Sequence, residues 1–418
     1  MNKETLIALA ALIFAFAAAM PHHSIAGYPE NTEGTILTQI AFGSCAHQDK
    51  EQPIWDAVLA NNPDLFVFLG DNIYGDTENM DVLSEKYALL AAKPGFQALW
   101  DSTDVVATWD DHDYGENDAG EEYPMKEESK EIFLDFWGEP NGTDRRLRDD
   151  GVYTSYMYGP KGQRVQIILL DLRWARTPLV SVTAQEYALR DELYQMGPYS
   201  PNYDRDARML SEAQWKWLEY ELRKPADIRI IGTSLPYLMF FSGWETWANF
   251  PWEWVRMNDL ITKTRAGGVV FISGDTHWSE FSRLDPEPSL AARGKDDDDH
   301  SRRHWDKTYP TPEDGVEPKD IPHIMHEVEK PYAYWDLTSS GLTEEWSIIP
   351  YNQNRLGDFY FKNNFGLIKI NWDFEDPQIS LEIRGLENQL IMQNTIRLSE
   401  LQPMSNKHKS DDYKHDDD

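Results

Sequence analysis

The stretch LFVFLGDNIY at residues 65–74 joins a short apolar run to a polar segment that begins at Gly70. An uninterrupted apolar run of this length predicts a strand buried on both faces, as in a parallel sheet covered by helices. The polar segment then lies at the carboxyl end of the strand, where open α/β sheets form their ligand crevice. This stretch therefore predicts both the kind of sheet and the edge on which a site is built.

The same arrangement recurs along the chain. Apolar runs precede three further polar segments: Gly43-Ser44-Cys45, Trp109-Asp110-Asp111-His112-Asp113 and Gly274-Asp275-Thr276-His277. Because parallel strands end at the same edge of a sheet, we expect these thiol, carboxylate and imidazole side chains to lie together with the phenol of Tyr74. Such a set of donors predicts a metal site.

Strand-like and helix-like runs alternate through residues 34–400, which favours a single α/β catalytic domain. Further strands are predicted over 165–170, 228–231, 334–337, 365–372 and 378–384, the last two antiparallel. Helices are predicted over 52–61, 82–100, 127–137, 210–223 and 254–265. Ser211 is a predicted N-cap.

The two ends of the chain predict processing and disorder. Residues 1–26 contain an uncharged run, 6–20, that is short for a membrane span and is followed by small residues and a proline. We interpret them as a cleaved signal peptide, with a retained anchor as the alternative, so the protein is expected to be secreted or periplasmic without a stable membrane span. Residues 401–418 are predicted to be a disordered acidic tail. Residues 287–322 are predicted to be a solvated insertion, or else a lid or calcium-binding loop.

The formal net charge of −33 makes the chain strongly acidic. Such a charge repels the phosphate backbone of nucleic acids, so no nucleic-acid binding through basic patches is expected. A small anionic substrate is also repelled at long range. At ordinary salt this repulsion is screened beyond about 8–10 Å, so bound cations can dominate inside a cleft.

Cys45 is the only cysteine of the chain and cannot form an internal disulfide. It is expected to bind a metal, to remain an inert buried thiol, or to pair with another chain. Carboxylate and amide oxygens suit calcium or magnesium, whereas a thiolate, a phenolate and an imidazole together suit a transition metal. Two kinds of ion in one site would account for both groups of ligands.

Each motif also has a purely structural interpretation. Asp71 caps a turn in that interpretation, His277 is a hydrogen-bonded core histidine, and the acidic residues at 110–113 form a solvated turn. The aromatic run 240–254 either packs in the core or forms a lip that holds the organic part of a substrate. The occurrence of all four motifs at strand ends, in this order, favours the metal site.

Taken together, the motifs resemble those of the alkaline phosphatase D family, whose members are calcineurin-like metallophosphoesterases. The resemblance extends from about residue 36 to residue 397 and rests on FGSC at 42–45, GDNIY at 70–74, WDDHD at 109–113, GDTHW at 274–278 and TSSGLT at 338–343. It implies a two-sheet α/β sandwich, and hydrolysis of phosphate monoesters and diesters outside the cytoplasm by hydroxide generated at bound metals. The substrate is then a small phosphate ester or diester, with a lipid headgroup as a variant.

The resemblance also implies one Fe³⁺ and two Ca²⁺ ions. Its expected metal ligands are Cys45, Asp71, Tyr74 and His277 for iron, and Asp71, Asn117 and Asp275 for calcium. Glu116 is an alternative to Asn117, because the spacing from His112 is one residue longer than in some members. The alternative is an ordinary two-metal site that binds Zn²⁺ or Mn²⁺ in place of iron and calcium.

The expected catalytic residues are His112, Asp111 and Arg173. His112 is placed over the phosphate as a transition-state stabiliser or as the proton donor to the leaving group. Arg173 follows another predicted strand and either contacts phosphate or forms a structural salt bridge. Two competing functions remain: a phospholipase-type diesterase, and a non-catalytic calcium-binding surface protein.

Overall fold

The computed structural model describes residues 32–239, 241–286, 328 and 330–403. The predicted signal peptide, the 287–322 insertion and residues 404–418 of the predicted tail lie outside the described residues. In the part of the chain that is described, no helix has the length and apolar character needed to cross a membrane.

The first large sheet has six strands in the order β15-β14-β13-β1-β2-β3. These are β1 (Gln39–Gly43), β2 (Leu65–Leu69), β3 (Asp104–Thr108), β13 (Asn364–Asn371), β14 (Gln378–Gly385) and β15 (Leu390–Arg397). The first three are parallel to one another, and the last three add antiparallel strands on the side of β1. The antiparallel prediction for the late strands is therefore confirmed.

The second large sheet has seven strands in the order β12-β10-β11-β9-β8-β5-β4. These are β4 (Thr154–Tyr158), β5 (Val165–Leu169), β8 (Ile228–Thr233), β9 (Val269–Ser273), β10 (Ser279–Leu284), β11 (Tyr334–Ser339) and β12 (Arg355–Tyr360). Strands β5, β8, β9 and β11 are parallel to one another. A separate two-stranded ribbon pairs β6 (Val180–Ser181) with β7 (Tyr199–Ser200).

The α-helices of the described residues are α1 (Ile54–Leu59), α2 (Met80–Ala91), α3 (Pro94–Ser102), α4 (Asp111–Tyr114), α5 (Lys126–Phe136), α6 (Asp144–Leu147), α7 (Ala184–Tyr194), α8 (Glu212–Leu222) and α9 (Pro251–Thr264). Short 3₁₀ helices span Thr32–Gly34, Trp247–Asn249 and Leu398–Leu401. Ser211 caps α8 as predicted, since its side chain accepts the N–H of Gln214.

The observed helices differ from the predicted ones in two respects. The helix predicted over 82–100 is two helices, because Pro94 lacks an N–H and occupies the first turn of α3, where none is needed. Helix α7 was not predicted. Its one buried side chain is that of Arg190, so it carries no apolar stripe that periodicity could reveal.

The two large sheets pack face to face around one apolar core. Ile40, Val67 and Leu69 of the first sheet lie in the same buried cluster as Ile167 and Ile230 of the second. The sheets approach each other closely at Gly232, where a Cβ atom would lie 2.9 Å from Leu69 Cδ2. Helices cover the outer faces, so the structure is the α/β sandwich that the resemblance implied.

The described part of the aromatic run, residues 241–254, packs mainly in the core. Phe241, Trp247, Phe250 and Trp254 are all buried, as the core interpretation predicts. The indole Nε1 of Trp247 donates to Thr233 Oγ1 at 2.8 Å, at the end of β8. The buried part of this run therefore supports the sheet and does not form a lip.

Candidate metal centre

Loops at the carboxyl ends of both large sheets converge on one region. From the first sheet come Cys45 after β1, Asp71 after β2 and Asp111 after β3. From the second come Arg173 after β5 and Asp275 after β9. Backbone hydrogen bonds join the loops, for example from Thr343 N to Cys45 O at 3.0 Å. The fold thus brings residues distant in sequence to a common edge.

Several of these residues hold an unusual backbone conformation. Cys45, Asp71, Asp275 and His277 have φ angles of 63°, 49°, 70° and 64°. Left-handed conformations of residues other than glycine cost free energy and concentrate at functional sites. Their clustering at the ends of β1, β2 and β9 is a physical sign of a built site.

Gly70 allows the loop after β2 to contact the loop after β3. Its φ is 102°, and a Cβ atom at this position would lie 2.4 Å from Asp110 Cβ. Any side chain would therefore push the Asp71 loop away from the loop after β3.

One group of side chains contains a thiol, a carboxylate, a phenol and an imidazole. Cys45 Sγ lies 3.3 Å from Asp71 Oδ2, and Tyr74 OH lies 3.0 Å from His277 Nε2. Donor atoms of Cys45, Asp71 and His277 all fall within 4.8 Å of one another. Ser340 fixes this group, since its Oγ lies 3.1 Å from Cys45 Sγ and accepts the backbone N–H of His277.

A second group consists of carboxylates. Asp71, Asp110, Asp111 and Asp275 place carboxylate oxygens within 4.8 Å of one another. Within the described residues, Asp71 Oδ1, Asp110 Oδ2 and Asp111 Oδ1 are buried without a hydrogen-bond partner. Buried carboxylate oxygens without partners are costly, and a cation would satisfy them.

The pKa values of the buried side chains also indicate that this site is suited to a cation. Burial raises the pKa of Asp71 well above its usual range, and the charges of Asp111 and Asp110 raise it further. Burial likewise raises the pKa of Cys45 and of Tyr74. Burial lowers the pKa of His277 to about 4, which leaves its imidazole neutral and able to bind a metal. A bound cation would favour the anionic forms of Asp71, Cys45 and Tyr74.

Arg173 lies behind the carboxylates and is fully buried. Its guanidinium donates to Asp110 Oδ1 and, at 2.9 Å, to Glu245. It also lies 3.6 Å from Asp111. The structural salt bridge that the sequence left open for this residue is therefore present.

A further acidic group joins Asp111 to Asp118 and Glu245. Glu245 also pairs with Arg176 at 3.3 Å in addition to Arg173. The two buried guanidinium groups already compensate these carboxylates. A bound metal ion is therefore less needed here than in the carboxylate group that contains Asp71.

Comparison with known proteins identifies the family. The model of the PhoD-like phosphatase family matches residues 40–304. This chain belongs to that family. Among solved structures, that of PhoD is 15% identical, covers 90% of this chain and 73% of its own, and superposes with a TM-score of 0.58. GAP50, the anchor in the inner membrane complex of Plasmodium, is 11% identical over 89% of this chain and 91% of its own, with a TM-score of 0.47. No curated protein sequence matches.

Membership in the PhoD-like phosphatases makes the chain a member of a family of phosphoester hydrolases. The likeness to the solved structure of PhoD supports the sandwich fold. The acidic groups described above are consistent with metal binding in such a protein. The identity of the metals does not follow from either comparison.

His112 borders the candidate centre of this PhoD-like phosphatase. Its ring packs against Tyr74, with centroids 4.2 Å apart, and its Nδ1 lies 2.7 Å from Asp76 Oδ1. Burial alone would lower the pKa of His112, but the carboxylates of Asp111 and Asp76 raise it to about 9. In the metal-free protein the imidazole is therefore protonated near neutral pH.

We expect Asp76→Asn to lower the pKa of His112 in the metal-free protein. The substitution removes a carboxylate and a charge-assisted hydrogen bond, both of which favour the imidazolium. Stability that protonated His112 contributes is present below its usual pKa and is lost as pH rises towards about 9. Titration of the His112 ring signals by NMR measures the pKa. An unchanged value would show that Asp76 does not set the charge of this histidine.

Asn117 occupies a different environment from the other expected ligands. It is exposed, as is its alternative Glu116. The neighbouring Asp118 turns inward instead, and its backbone N–H donates to Asp111 Oδ2 at 2.7 Å. A calcium-binding role of Asn117 stays a prediction.

The interpretation of residues 110–113 as a solvated turn is wrong. Asp110, Asp111 and Asp113 are all buried. Asp113 accepts the backbone N–H groups of Asn72 at 2.9 Å and Asp110 at 3.0 Å, and so ties the loops after β2 and β3 together.

Two residues that the structure places here, Asp118 and Glu245, were not predicted from the sequence, whereas Asp110 and Ser340 were named only as parts of motifs. Glu245 had one detectable signal, since it is an acidic residue inside an otherwise aromatic run. Burial of an acid among aromatic residues indicates a specific partner, which here is Arg173.

Proposed function

We propose that this protein is an exported, metal-dependent hydrolase of phosphate monoesters and diesters. The observation that carries the proposal is the position of Asp71. Its carboxylate belongs both to the group with Cys45 and His277 and to the group with Asp110, Asp111 and Asp275. A carboxylate shared in this way can bridge two cations of different kinds.

The residues fit the metals that the sequence resemblance implies. Cys45, Asp71, Tyr74 and His277 would hold Fe³⁺, because thiolate, phenolate and imidazole suit a transition metal. Asp71 and Asp275, with Asn117, would hold Ca²⁺ through oxygen ligands. When bound, such cations polarise a phosphate ester and lower the pKa of water. Zn²⁺ or Mn²⁺ remains the alternative loading.

His112 would act as the proton donor to the leaving-group oxygen. Its contact with Asp76 orients the ring and keeps it protonated, while Tyr74 supports one face. Asp111 lies in the same group as His112 and Asp71, so it positions the imidazolium by charge. Because an alkoxide leaves poorly without a proton, this donor matters most for esters of weakly acidic alcohols.

Arg173 is assigned a supporting role. Its guanidinium is buried against Asp110, Asp111 and Glu245 and has no exposed surface. It would hold the carboxylates after β3 in place. The contact between Arg173 and phosphate therefore forms no part of the proposed reaction.

Elemental analysis and the visible spectrum of the mature protein, purified without chelator, test the metal assignment. We expect about one equivalent of iron together with calcium. We also expect a visible phenolate-to-iron band that is lost in Tyr74→Phe, since this change removes the phenolate oxygen alone. Zinc or manganese alone would instead indicate an ordinary two-metal phosphoesterase. Calcium alone would favour the non-catalytic binding protein.

The phospholipase-type variant is not part of the proposal, because most of the described aromatic residues of the run that suggested it are buried. Exported status rests on residues 1–26, which lie outside the described residues. N-terminal sequencing of the mature protein would test that part of the proposal separately.

A further inference from the structure

A tryptophan lies directly beside the candidate centre. The backbone N–H of Trp346 donates to the carbonyl oxygen of His277 at 3.0 Å. The indole ring lies 6.4 Å from the imidazole of His277, measured between centroids. The Trp346 side chain nevertheless remains 39% exposed. A single exposed aromatic residue is ordinary on a protein surface, but the position of this indole beside His277 makes it available to a ligand bound there.

A second tryptophan holds this one in place. Trp244 packs edge-on against Trp346 with ring centroids 5.8 Å apart, and Tyr187 packs edge-on against Trp244 at 6.3 Å. The Trp244 indole N–H donates to Gln195 O at 3.2 Å, which fixes the ring. Together, Trp244 and Trp346 form an aromatic wall whose Trp346 ring lies near His277 and is partly exposed to solvent.

We propose that this aromatic wall contacts the organic substituent of the phosphate ester and selects flat, apolar substituents. The inference rests on the proposed function, since it assumes that phosphate binds beside His277. A wall of two indoles favours aryl groups through stacking or edge contacts. At ordinary salt the net charge of −33 acts over only about 8–10 Å, so it adds at most a weak bias against substituents that carry further negative charge. The preferred substrate class is therefore an uncharged aryl or similarly apolar ester of phosphate.

Calorimetric binding of phenylphosphonate and methylphosphonate to the metal-loaded protein tests this inference without turnover. We expect the wild type to bind phenylphosphonate about 5-fold more tightly than methylphosphonate, the size of one aromatic contact. Trp346→Ala should abolish this preference and leave methylphosphonate binding unchanged. Trp346→Phe should retain most of it, since a smaller ring remains.

Tyr220→Ala is the matched control. Tyr220 is an exposed aromatic residue on α8, with 64% of its surface accessible, so its loss should leave both affinities unchanged. The inference is overturned if the wild type shows no preference, or if Trp346→Ala weakens both phosphonates equally. Failure of the proposed function would look different. In that case the preference for phenylphosphonate would persist, but the wild type would hydrolyse neither phenyl nor methyl p-nitrophenyl phosphate.

Discussion

Asp71→Asn should lower kcat/KM for a chromogenic phosphodiester by about 1,000-fold or more, since several kcal/mol of metal-derived stabilisation correspond to such a factor. Asp71 is common to the thiol-containing group, to the carboxylate group and to a third group with Asp111 and His112. An amide keeps the shape of the side chain but loses the charge. Asp275→Ala is expected to have a similar effect on turnover.

Asp71→Asn should not destabilise the metal-free protein. A carboxyl group whose pKa is higher in the folded than in the unfolded chain costs stability at pH values above its usual pKa. The buried carboxyl of Asp71 is such a group, so its removal should leave the Tm of the chelator-treated protein equal or higher. Exposed Asp191 on α7 offers a control, Asp191→Asn, that should change neither property. Wild-type turnover by Asp71→Asn would refute the site.

Arg173→Met should lower the free energy of unfolding of the metal-free protein by about 3–5 kcal/mol, the range found when one partner of a buried ion pair is removed. The fully buried guanidinium compensates Asp110, Asp111 and Glu245. Methionine has similar volume but removes the cation beside Asp110 and Asp111, and leaves Glu245 with Arg176 alone. Urea denaturation at neutral pH measures the change.

A surface pair provides the comparison for Arg173. Arg208 pairs with Glu121 at 2.7 Å, with 48% and 35% of their side chains exposed. Arg208→Met should cost less than about 1 kcal/mol, as expected of an exposed ion pair. Adding Glu245→Gln to Arg173→Met should recover part of the lost stability, because one buried negative charge is removed. Equal effects of the two arginine substitutions would show that the buried network does not stabilise the fold.

The parallel strands were predictable because burial on both faces leaves a continuous apolar signature. Strand β2 was predicted with its observed bounds, Leu65–Leu69. Strands β6 and β7 are two residues long and carry no such signature. Helix α7 was missed for a related reason, since its buried residue is an arginine.

The residues at strand ends were predictable because the chain places them directly after those apolar runs. The loop after β3 was harder to interpret, since its three aspartates have the composition of an exposed turn. Only the tertiary structure shows that Arg173, distant in sequence, compensates Asp110 and buries it. Trp244 of the aromatic wall lies in the run that the sequence offered as a lip, but Trp346 was missed, because it lies in an irregular segment whose contact with His277 follows no local period.

The measurement that tests the central proposal most directly is hydrolysis of bis(p-nitrophenyl) phosphate before and after metal removal. We predict that the protein purified without chelator turns over this diester, that removal of iron and calcium abolishes turnover, and that their return restores it. Asp71→Asn should stay inactive throughout. Turnover that survives verified removal of all metals, or a loaded wild type that hydrolyses no phosphate ester, would contradict the proposed function.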